Sequence, residues 1–389
     1  LEYIRTYAFS GFAWGLIGYS QSDNRVLIQS ADLTGVYGIS FLIVLINALI
    51  AVSWTAWREN RLSQCRIPAV YTTVLIMSAL LYGQHALDTI EKKIHAAEKT
   101  LVGIVQGNIA QDKKWSPAFK ARTVEKYCSL SLSVNDRRPD LIVWPETALP
   151  FYFGMEKELS ERVISCIQSS DTAFLIGAPA VETQFQPVRF YNRAYLFKPS
   201  GMISGTYEKH HLVPFGEYVP FGRYLNFLGK IIAQAGDFTA GTTGFVPLDF
   251  SGHKTGVLIC FEILFPGIAA DFVHNGADIL TTLTNDAWFG RTSAARQHFS
   301  ISVFRAVETR RSLVRAANTG ISGFIDPSGA VHHTTPLFTD AAIVGQLPAL
   351  KYVTPYSRYK DLFVWLAMVA FSLGFMVKRL NKMPKEKTR

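Results

Sequence analysis

Residues 255–262 read TGVLICFE, and this stretch decides the fold that the sequence predicts. Its apolar run, 255–260, is typical of a short buried strand, and it ends in Cys260 with Glu262 close behind. A second run, LIVW at 141–144, has the same character and is followed by Glu146. Because α/β sheets display their functional groups at strand ends, both runs indicate an α/β domain with a site at one sheet edge.

The pattern extends outward from these two strands over a block from about residue 99 to 350. Predicted strands cover 101–105, 141–144, 173–177, 193–197, 201–207, 255–260, 278–283, 312–316 and 323–326. Predicted helices cover 119–134, 159–168, 267–275 and 294–309. Short apolar strands alternating with helices predict one α/β domain, and we assign residues 99–350 to it.

Three uncharged apolar stretches flank this block, at 33–52, 67–84 and 362–377. A bilayer core requires about 20 apolar residues in a helix, with a range of about 17 to 25. The third stretch is short, but Lys378 and Arg379 can extend their charged ends to the interface. Buried core helices are the alternative. We predict that 1–85 holds an interfacial segment and two transmembrane helices, and that 356–389 holds a third with a basic cytoplasmic tail.

The charge distribution predicts how these helices are oriented across the membrane. The 389 residues carry a net charge of +9, yet only 18% are charged, against about 25% in typical soluble proteins. Most of the excess lies in the loop 55–66 and the tail 378–389. Because short basic loops stay in the cytoplasm, we expect the 99–350 block on the periplasmic side of a bacterial inner membrane. The charge therefore favours a membrane partner and does not support a nucleic-acid partner.

The first residue of the chain and its four cysteines lead to two further predictions. The sequence starts at Leu1 without a methionine, so we expect that further N-terminal spans precede it. Of the four cysteines, Cys65 falls in the cytoplasmic loop, whereas Cys128, Cys166 and Cys260 fall in the outer block, where an odd number leaves one thiol free. There is no CxxC, HExxH, GxSxG, Walker or GxGxxG motif, so we expect no metal and no cofactor.

Three side chains at predicted strand ends form a plausible catalytic set. Cys260 is a potential nucleophile, and Glu146 could act as its base if burial raised the pKa of this carboxyl group. Lys209 could stabilise a thiolate and a developing oxyanion. From the residues alone the alternatives stay open, because a single cysteine at a strand end is more often a small buried apolar residue.

Several longer motifs occur together and in order along the chain. They are WPETALP (144–150), YEKHHLVPFGEYVPF (207–221), GVLICFE (256–262), LTNDAWFG (283–290) and QHFSISVFRAVETRRSLVRAANTGISGFIDPSG (297–329), with GFAWGLIGYSQ (11–21) and VQGNIAQDKKW (105–115) before them. This set resembles apolipoprotein N-acyltransferases, the membrane-anchored branch of the nitrilase, or carbon-nitrogen hydrolase, superfamily. The resemblance implies a nitrilase-type αββα sandwich domain inserted between transmembrane helices.

The resemblance also implies roles for individual residues. Cys260 corresponds to the nucleophile, Glu146 to the general base and Lys209 to the cation that stabilises the oxyanion. Supporting positions are Glu217, Glu262 and Phe261, the last of which is often tyrosine in this family. Trp115 matches a position that shapes the lipid pocket, and Phe215 and Trp288 are assigned to substrate binding with it.

The implied reaction is a two-step acyl transfer without a cofactor. The donor is a phospholipid, in this family usually phosphatidylethanolamine, and the acceptor is the α-amino group of diacylglyceryl-cysteine in an apolipoprotein. Apolar segments near the site favour a lipid substrate: 151–153, 221–232 and 261–265. Two alternatives remain, a membrane-tethered nitrilase or amidase that hydrolyses a small C–N bond, and a non-catalytic scaffold that binds lipoproteins.

Overall fold

The computed structural model describes residues 1–219 and 238–380 of the 389-residue chain. The apolar segment predicted at 221–232 and most of the basic tail therefore lie outside the described residues. The strands are β1 (Lys99–Gln106), β2 (Leu141–Trp144), β3 (Ala173–Glu182), β4 (Arg189–Phe197), β5 (Ile203–Glu208), β6 (Leu248–Phe250), β7 (His253–Ile259), β8 (Ile279–Thr284), β9 (Ser312–Ala317), β10 (Gly323–Ile325), β11 (Val331–His332) and β12 (Ala341–Pro348).

The helices divide into long apolar ones and shorter ones around the sheets. They are α1 (Glu2–Tyr7), α2 (Arg25–Ile28), α3 (Ala31–Thr34), α4 (Val36–Arg58), α5 (Arg66–Ala96), α6 (Gln111–Lys114), α7 (Pro117–Leu132), α8 (Lys157–Ser170), α9 (Pro266–His274), α10 (Ala294–Thr309), α11 (Pro355–Tyr359) and α12 (Leu362–Leu380). Short 3-10 helices cover Ile17–Gln21, Leu62–Cys65, Asn135–Arg137, Cys260–Leu264 and Asp286–Phe289.

Two six-stranded sheets form the centre of the 99–350 block. Their strand orders are β12-β1-β2-β3-β4-β5 and β11-β10-β9-β8-β7-β6. In each sheet three neighbouring strands are parallel, β1-β2-β3 and β7-β8-β9, and the outer strands pair antiparallel. The sheets thus share one topology, and the carboxyl ends of their parallel strands carry the candidate site.

The alternation of side chains along β2 shows how the layers stack. Leu141 and Val143 point into a core shared with β7 and β8 of the other sheet. Ile142 and Trp144 point the opposite way, into a second core formed with α7 and α8. Helices α9 and α10 pack on the outer face of the second sheet. The order is helix, sheet, sheet, helix, which confirms the predicted αββα sandwich.

Three helices of the described chain are long and apolar enough to cross a membrane, as judged by length and composition. They are Val36–Arg58, Leu62–Ala96 and Leu362–Arg379. The second is longer than the predicted stretch at 67–84, because Leu87 and Ile90 bury their side chains and the helix continues to Ala96. The division into membrane and catalytic segments stays a prediction.

The N-terminal segment packs against the sandwich domain. Ala13, Leu16 and Tyr19 are buried in an apolar cluster that includes α10, and the Tyr19 ring contacts Phe304 of that helix edge-on, with ring centroids 5.2 Å apart. The Tyr19 hydroxyl accepts a hydrogen bond of 2.9 Å from Arg305 of α10, whose guanidinium is fully buried. The backbone N–H of Val36, at the start of α4, donates to the Glu308 carboxylate at 2.8 Å. One helix of the sandwich therefore holds the entry to the first apolar helix.

Candidate active site

Cys260 stands at a sharp turn where β7 ends. It is the first residue of the 3-10 helix Cys260–Leu264 and has φ = 51°, a left-handed conformation that non-glycine residues adopt rarely. The turn is held by Glu262, whose carboxylate accepts a hydrogen bond of 2.7 Å from the Ile259 N–H. Non-glycine residues in strained backbone conformations concentrate at functional sites, so this conformation agrees with a role for Cys260.

Glu146 lies just beyond β2 and its carboxylate is held from two sides. Oε1 accepts a hydrogen bond of 2.7 Å from the Asn192 side chain on β4. Oε2 accepts one of 2.9 Å from the backbone N–H of Asn285, which follows β8 in the other sheet. Gly177 of β3 allows this arrangement, because a Cβ there would stand 2.5 Å from the Pro145 carbonyl oxygen and 2.8 Å from the Glu146 Cα.

Lys209 follows β5 and places its ammonium group between two carboxylates. Its Nζ stands 2.8 Å from Glu217 Oε2 and 3.7 Å from Glu146 Oε1, and the side chain is only 1% exposed. Burial opposes the charged form, but the Glu217 and Glu146 carboxylates outweigh it and raise the pKa of Lys209. Lys209 is therefore a buried permanent cation beside Glu146.

Cys260 itself rests as a thiol. Burial is the main cause that raises the pKa of Cys260, and the Glu146 carboxylate raises it further. Lys209 and a hydrogen bond with Thr284 act in the opposite direction. To act as a nucleophile Cys260 would therefore require a base to remove its proton, and the carboxylate whose charge acts on it most strongly is Glu146.

Glu262 joins the turn of Cys260 to the strand end that carries Lys209. Besides the Ile259 N–H, its carboxylate accepts hydrogen bonds from the Tyr207 hydroxyl at 2.8 Å, the His210 N–H at 2.8 Å and the His211 N–H at 3.1 Å. Burial raises the pKa of Glu262 to about 7 against the effect of these donors. The structure thus places Glu262 as a brace between two strand ends.

Glu217 and Phe261 also lie at the site. Glu217 binds Lys209 and accepts hydrogen bonds from Asn192 at 3.0 Å and from the Val213 N–H at 2.8 Å. Phe261 is buried, with its ring 5.3 Å from Phe265 in an edge-on contact. Both supporting positions are thus beside the three central residues, although their roles stay predictions.

The three predicted substrate-binding aromatics lie on loops connected to these residues. Trp115, Phe215 and Trp288 are 47%, 54% and 67% exposed. They follow α6, precede Glu217 and follow Asn285, respectively. Exposed aromatic rings on three loops around one catalytic set could contact a lipid, and this assignment stays a prediction.

The expectation that apolar clusters beside the site mark a lipid surface is wrong for the two clusters the structure describes. Phe151 is buried in the core behind β2, and Phe153 packs against Phe197 with ring centroids 5.0 Å apart. Phe261 and Phe265 are buried as well. Phe151, Phe261 and Phe265 therefore belong to the buried apolar clusters of the fold, and Phe153 is partly buried against one of them.

Several residues that contribute to the site were not among the predicted site residues. Asn192 bridges Glu146 and Glu217, and Lys114 donates to the Thr147 hydroxyl at 2.6 Å. Asp286, which follows Asn285, binds His298 and Arg315 in a buried group behind Cys260. The signal that could have found Asn192 is a polar residue inside a strand, β4, whose neighbouring side chains are largely buried.

The cysteines outside the site are free. Cys65, Cys128 and Cys166 form no disulfide, and Cys128 and Cys166 are joined by a hydrogen bond that raises the pKa of the Cys128 thiol.

Comparison with known proteins identifies the family. Residues 101–356 match the carbon-nitrogen hydrolase family, and residues 1–49 match the apolipoprotein N-acyltransferase N-terminal domain. The apolipoprotein N-acyltransferase of Geobacter metallireducens is 40% identical over 98% of this chain and 73% of its own length. The chain belongs to the apolipoprotein N-acyltransferase family. Members from Rhizobium rhizogenes and Methylococcus capsulatus are 37% and 33% identical, over 85% and 92% of this chain and 62% and 68% of their own lengths.

Solved structures support the fold of this apolipoprotein N-acyltransferase family member. The C. elegans NitFhit protein aligns with a TM-score of 0.51 at 16% identity, over 69% of this chain and 65% of that one. A mutant of the Nesterenkonia AN1 amidase, from the nitrilase superfamily, aligns with a TM-score of 0.50 at 15% identity, over 69% of this chain and 97% of that one. At these identities the likeness shows the nitrilase fold alone.

Proposed function

We propose that this chain transfers a fatty acyl group from a phospholipid, through a thioester on Cys260, to the N-terminal α-amino group of diacylglyceryl-cysteine in apolipoproteins. The observation that carries the proposal is the meeting of Cys260, Glu146 and Lys209 at one buried site in a member of this family. The three long apolar helices fit a lipid donor held in the same membrane.

The first step forms the thioester. Glu146 takes the Sγ proton of Cys260, and the thiolate attacks the ester carbonyl carbon of the phospholipid. The C–S bond forms while the carbonyl oxygen becomes an oxyanion, which the Lys209 ammonium stabilises. The oxyanion then collapses, the ester C–O bond breaks, and the lysophospholipid leaves as an alcohol with the proton that Glu146 returns.

The second step transfers the acyl group to the acceptor. The α-amino group attacks the thioester carbonyl and gives a proton to Glu146 as the C–N bond forms. The C–S bond breaks, Cys260 leaves as a thiolate, and Glu146 returns the proton to it. Burial of the site would protect the thioester until the amine arrives, because a thioester open to water would risk hydrolysis.

The location we propose is the bacterial inner membrane, with the sandwich domain on the periplasmic side. The basic loop between the first two apolar helices supports this direction, because short basic loops remain in the cytoplasm. Ser63 is exposed in that loop, and labelling of a Ser63→Cys variant beyond that of the parent by a membrane-impermeant thiol reagent in intact spheroplasts would contradict the proposed direction.

The decisive experiment is acyl transfer in vesicles that contain phosphatidylethanolamine with a labelled acyl chain and a diacylated lipopeptide. We expect label on the lipopeptide amine, a thioester at Cys260 before the acceptor is added, and neither in Cys260→Ser. Cys128→Ser is the matched control and should retain transfer. Hydrolysis of a soluble amide without transfer would favour the amidase alternative, and label on Cys128 or Cys166 would refute the nucleophile.

A further inference from the structure

Lys114 is a buried lysine beside Glu146 for which the mechanism above has no use. It ends the short helix α6, and its side chain is almost inaccessible, with 1% exposure. Its Nζ donates a hydrogen bond of 2.6 Å to the Thr147 hydroxyl and reaches the Glu146 carbonyl oxygen at 3.5 Å. In the part of the chain that the structure describes, it makes no direct ion pair.

These contacts hold the turn that presents the base. Thr147 has φ = 47°, so the chain changes direction immediately after Glu146. Lys114 binds the carbonyl oxygen on one side of this peptide unit and the hydroxyl on the other. Movement of the turn would displace the Glu146 carboxylate from Cys260, so Lys114 holds the base from its main-chain side.

The charges at the site give the ammonium group a second role. Lys209 stands between the carboxylates of Glu146 and Glu217, so one cation faces two anions. An uncompensated buried charge is costly, and a carboxyl group in such a site tends to take up a proton. Lys114 supplies a second buried positive charge close to Glu146, because its Nζ lies 3.5 Å from the Glu146 carbonyl oxygen.

We propose, building on the proposed function, that Lys114 is a positioning residue for the general base: its ammonium group fixes the Glu146–Thr147 turn and holds a positive charge beside Glu146. Glu146 is the titratable group whose charge acts on Lys114. Of the neighbouring charges, Asp112 on α6 is exposed, and Lys120 on α7 forms an ion pair of 2.6 Å with Glu156.

Burial determines the pH range over which Lys114 carries its positive charge. Burial lowers the pKa of Lys114 to about 8, and Glu146 opposes that decrease. Lys114 is therefore charged at neutral pH, although it is buried.

The test is the acid limb of the pH dependence of Cys260 reactivity. It is measured by thioester formation from phosphatidylethanolamine and, without any lipid, by the rate of iodoacetamide alkylation at Cys260, with peptide mass spectrometry to separate the four cysteines. Lys114→Gln keeps a hydrogen-bond donor but removes the charge, and we expect the acid limb to move up by about 1 to 3 pH units. Lys114→Arg keeps the charge and should leave the limb near its original position.

Two further variants close the experiment. Lys120→Gln makes the same chemical change away from the base and should leave the limb unmoved. Lys114→Met removes the charge and the hydrogen-bond donor together and should shift the acid limb as Lys114→Gln does. The experiment can therefore still be read if one of these two variants fails to fold. A rate reduced equally at every pH, or an unmoved limb in folded Lys114→Gln or Lys114→Met, would overturn the proposal.

The two assays also separate this inference from the proposed function. Alkylation that follows the expected limb, with no thioester from phospholipid at any pH, would reject the phospholipid donor and leave the role of Lys114 intact. Thioester formation from phospholipid, with an acid limb that does not move in the Lys114 variants, would support the phospholipid donor and reject the role of Lys114.

Discussion

The backbone N–H of Asn285 donates a hydrogen bond of 2.9 Å to the carboxylate of Glu146, and the two residues belong to different sheets. Glu146 follows β2 of the first sheet, whereas Asn285 follows β8 of the second. The base is thus fixed by the packing of one sheet on the other. Any change that shifts the sheets relative to each other should affect catalysis before it unfolds the protein.

Asn192→Asp should strongly reduce activity, although the two side chains have nearly the same size and shape. Asn192 donates through one nitrogen to both Glu146 and Glu217, and aspartate would replace this donor with a third carboxylate. Like charges in a buried site force one carboxyl group to take up a proton, so we expect thioester formation to fall at least about 100-fold at neutral pH. Single-turnover labelling of Cys260 measures it. Asn192→Ala, which adds no charge, should be less impaired, and equal rates in the two variants would contradict the argument.

Glu262→Gln should destabilise the protein and inactivate it together. The carboxylate accepts four hydrogen bonds from the Tyr207 hydroxyl and three backbone N–H groups, and a glutamine would turn an NH2 group toward some of these donors. Leaving buried donors unpaired should cost about 2 to 4 kcal/mol. Thermal unfolding in detergent and the thioester assay together test this. Glu161→Gln, on the surface helix α8, is the control, and a stable but inactive Glu262→Gln would show that Glu262 takes part in catalysis rather than bracing the turn.

Glu308→Gln should loosen the attachment of α4 to the sandwich. Glu308 accepts the Val36 N–H and pairs with the fully buried Arg305 at 2.9 Å. Removing its charge leaves a buried guanidinium without a carboxylate partner, which should cost about 3 to 5 kcal/mol. We expect a lower unfolding temperature and faster proteolysis near residues 30–36 in detergent. Unchanged proteolysis there would show that other contacts hold the helix.

Lys114 should make the stability of the protein depend on pH in a defined direction. Its pKa is about 8 in the folded protein and 10.5 for an ordinary lysine, so between these values the unfolded chain binds the additional proton. The contribution of Lys114 to the free energy of unfolding therefore increases as pH rises from 8 to 10.5. The free energy of unfolding of Lys114→Met, measured relative to that of the parent, should therefore decrease between pH 8 and 10.5. A constant difference over this pH range would mean that burial does not lower the pKa of Lys114.

Much of the sandwich could be predicted from the sequence because its strands are short apolar runs bounded by turns. The prediction of 141–144 coincides with β2, and that of 294–309 coincides with α10. Strand β12 was missed because its run, AAIVGQLP, has little apolar contrast, and only its pairing with β1 makes it a strand.

The candidate site divides in the same way. Cys260, Glu146 and Lys209 carry reactive side chains at strand ends and could be named in advance. The Asn285 contact could not, because it is made by a backbone N–H and leaves no mark in the residue type. Lys114 could not either, because a lysine in a polar stretch is typical of the surface and only tertiary packing buries it.

The attachment of α10 to the apolar helices has one more consequence. Glu308 receives the first N–H of α4 through its side chain, and its carbonyl oxygen accepts the Thr354 hydroxyl at 2.7 Å, shortly before α12 begins. The segments that lead into α4 and α12, the first and last long apolar helices of the described chain, are thus both bound by the last turn of α10. For a chain held in a bilayer by these helices, this double attachment would make the distance from the membrane to the sandwich domain a fixed dimension of the fold.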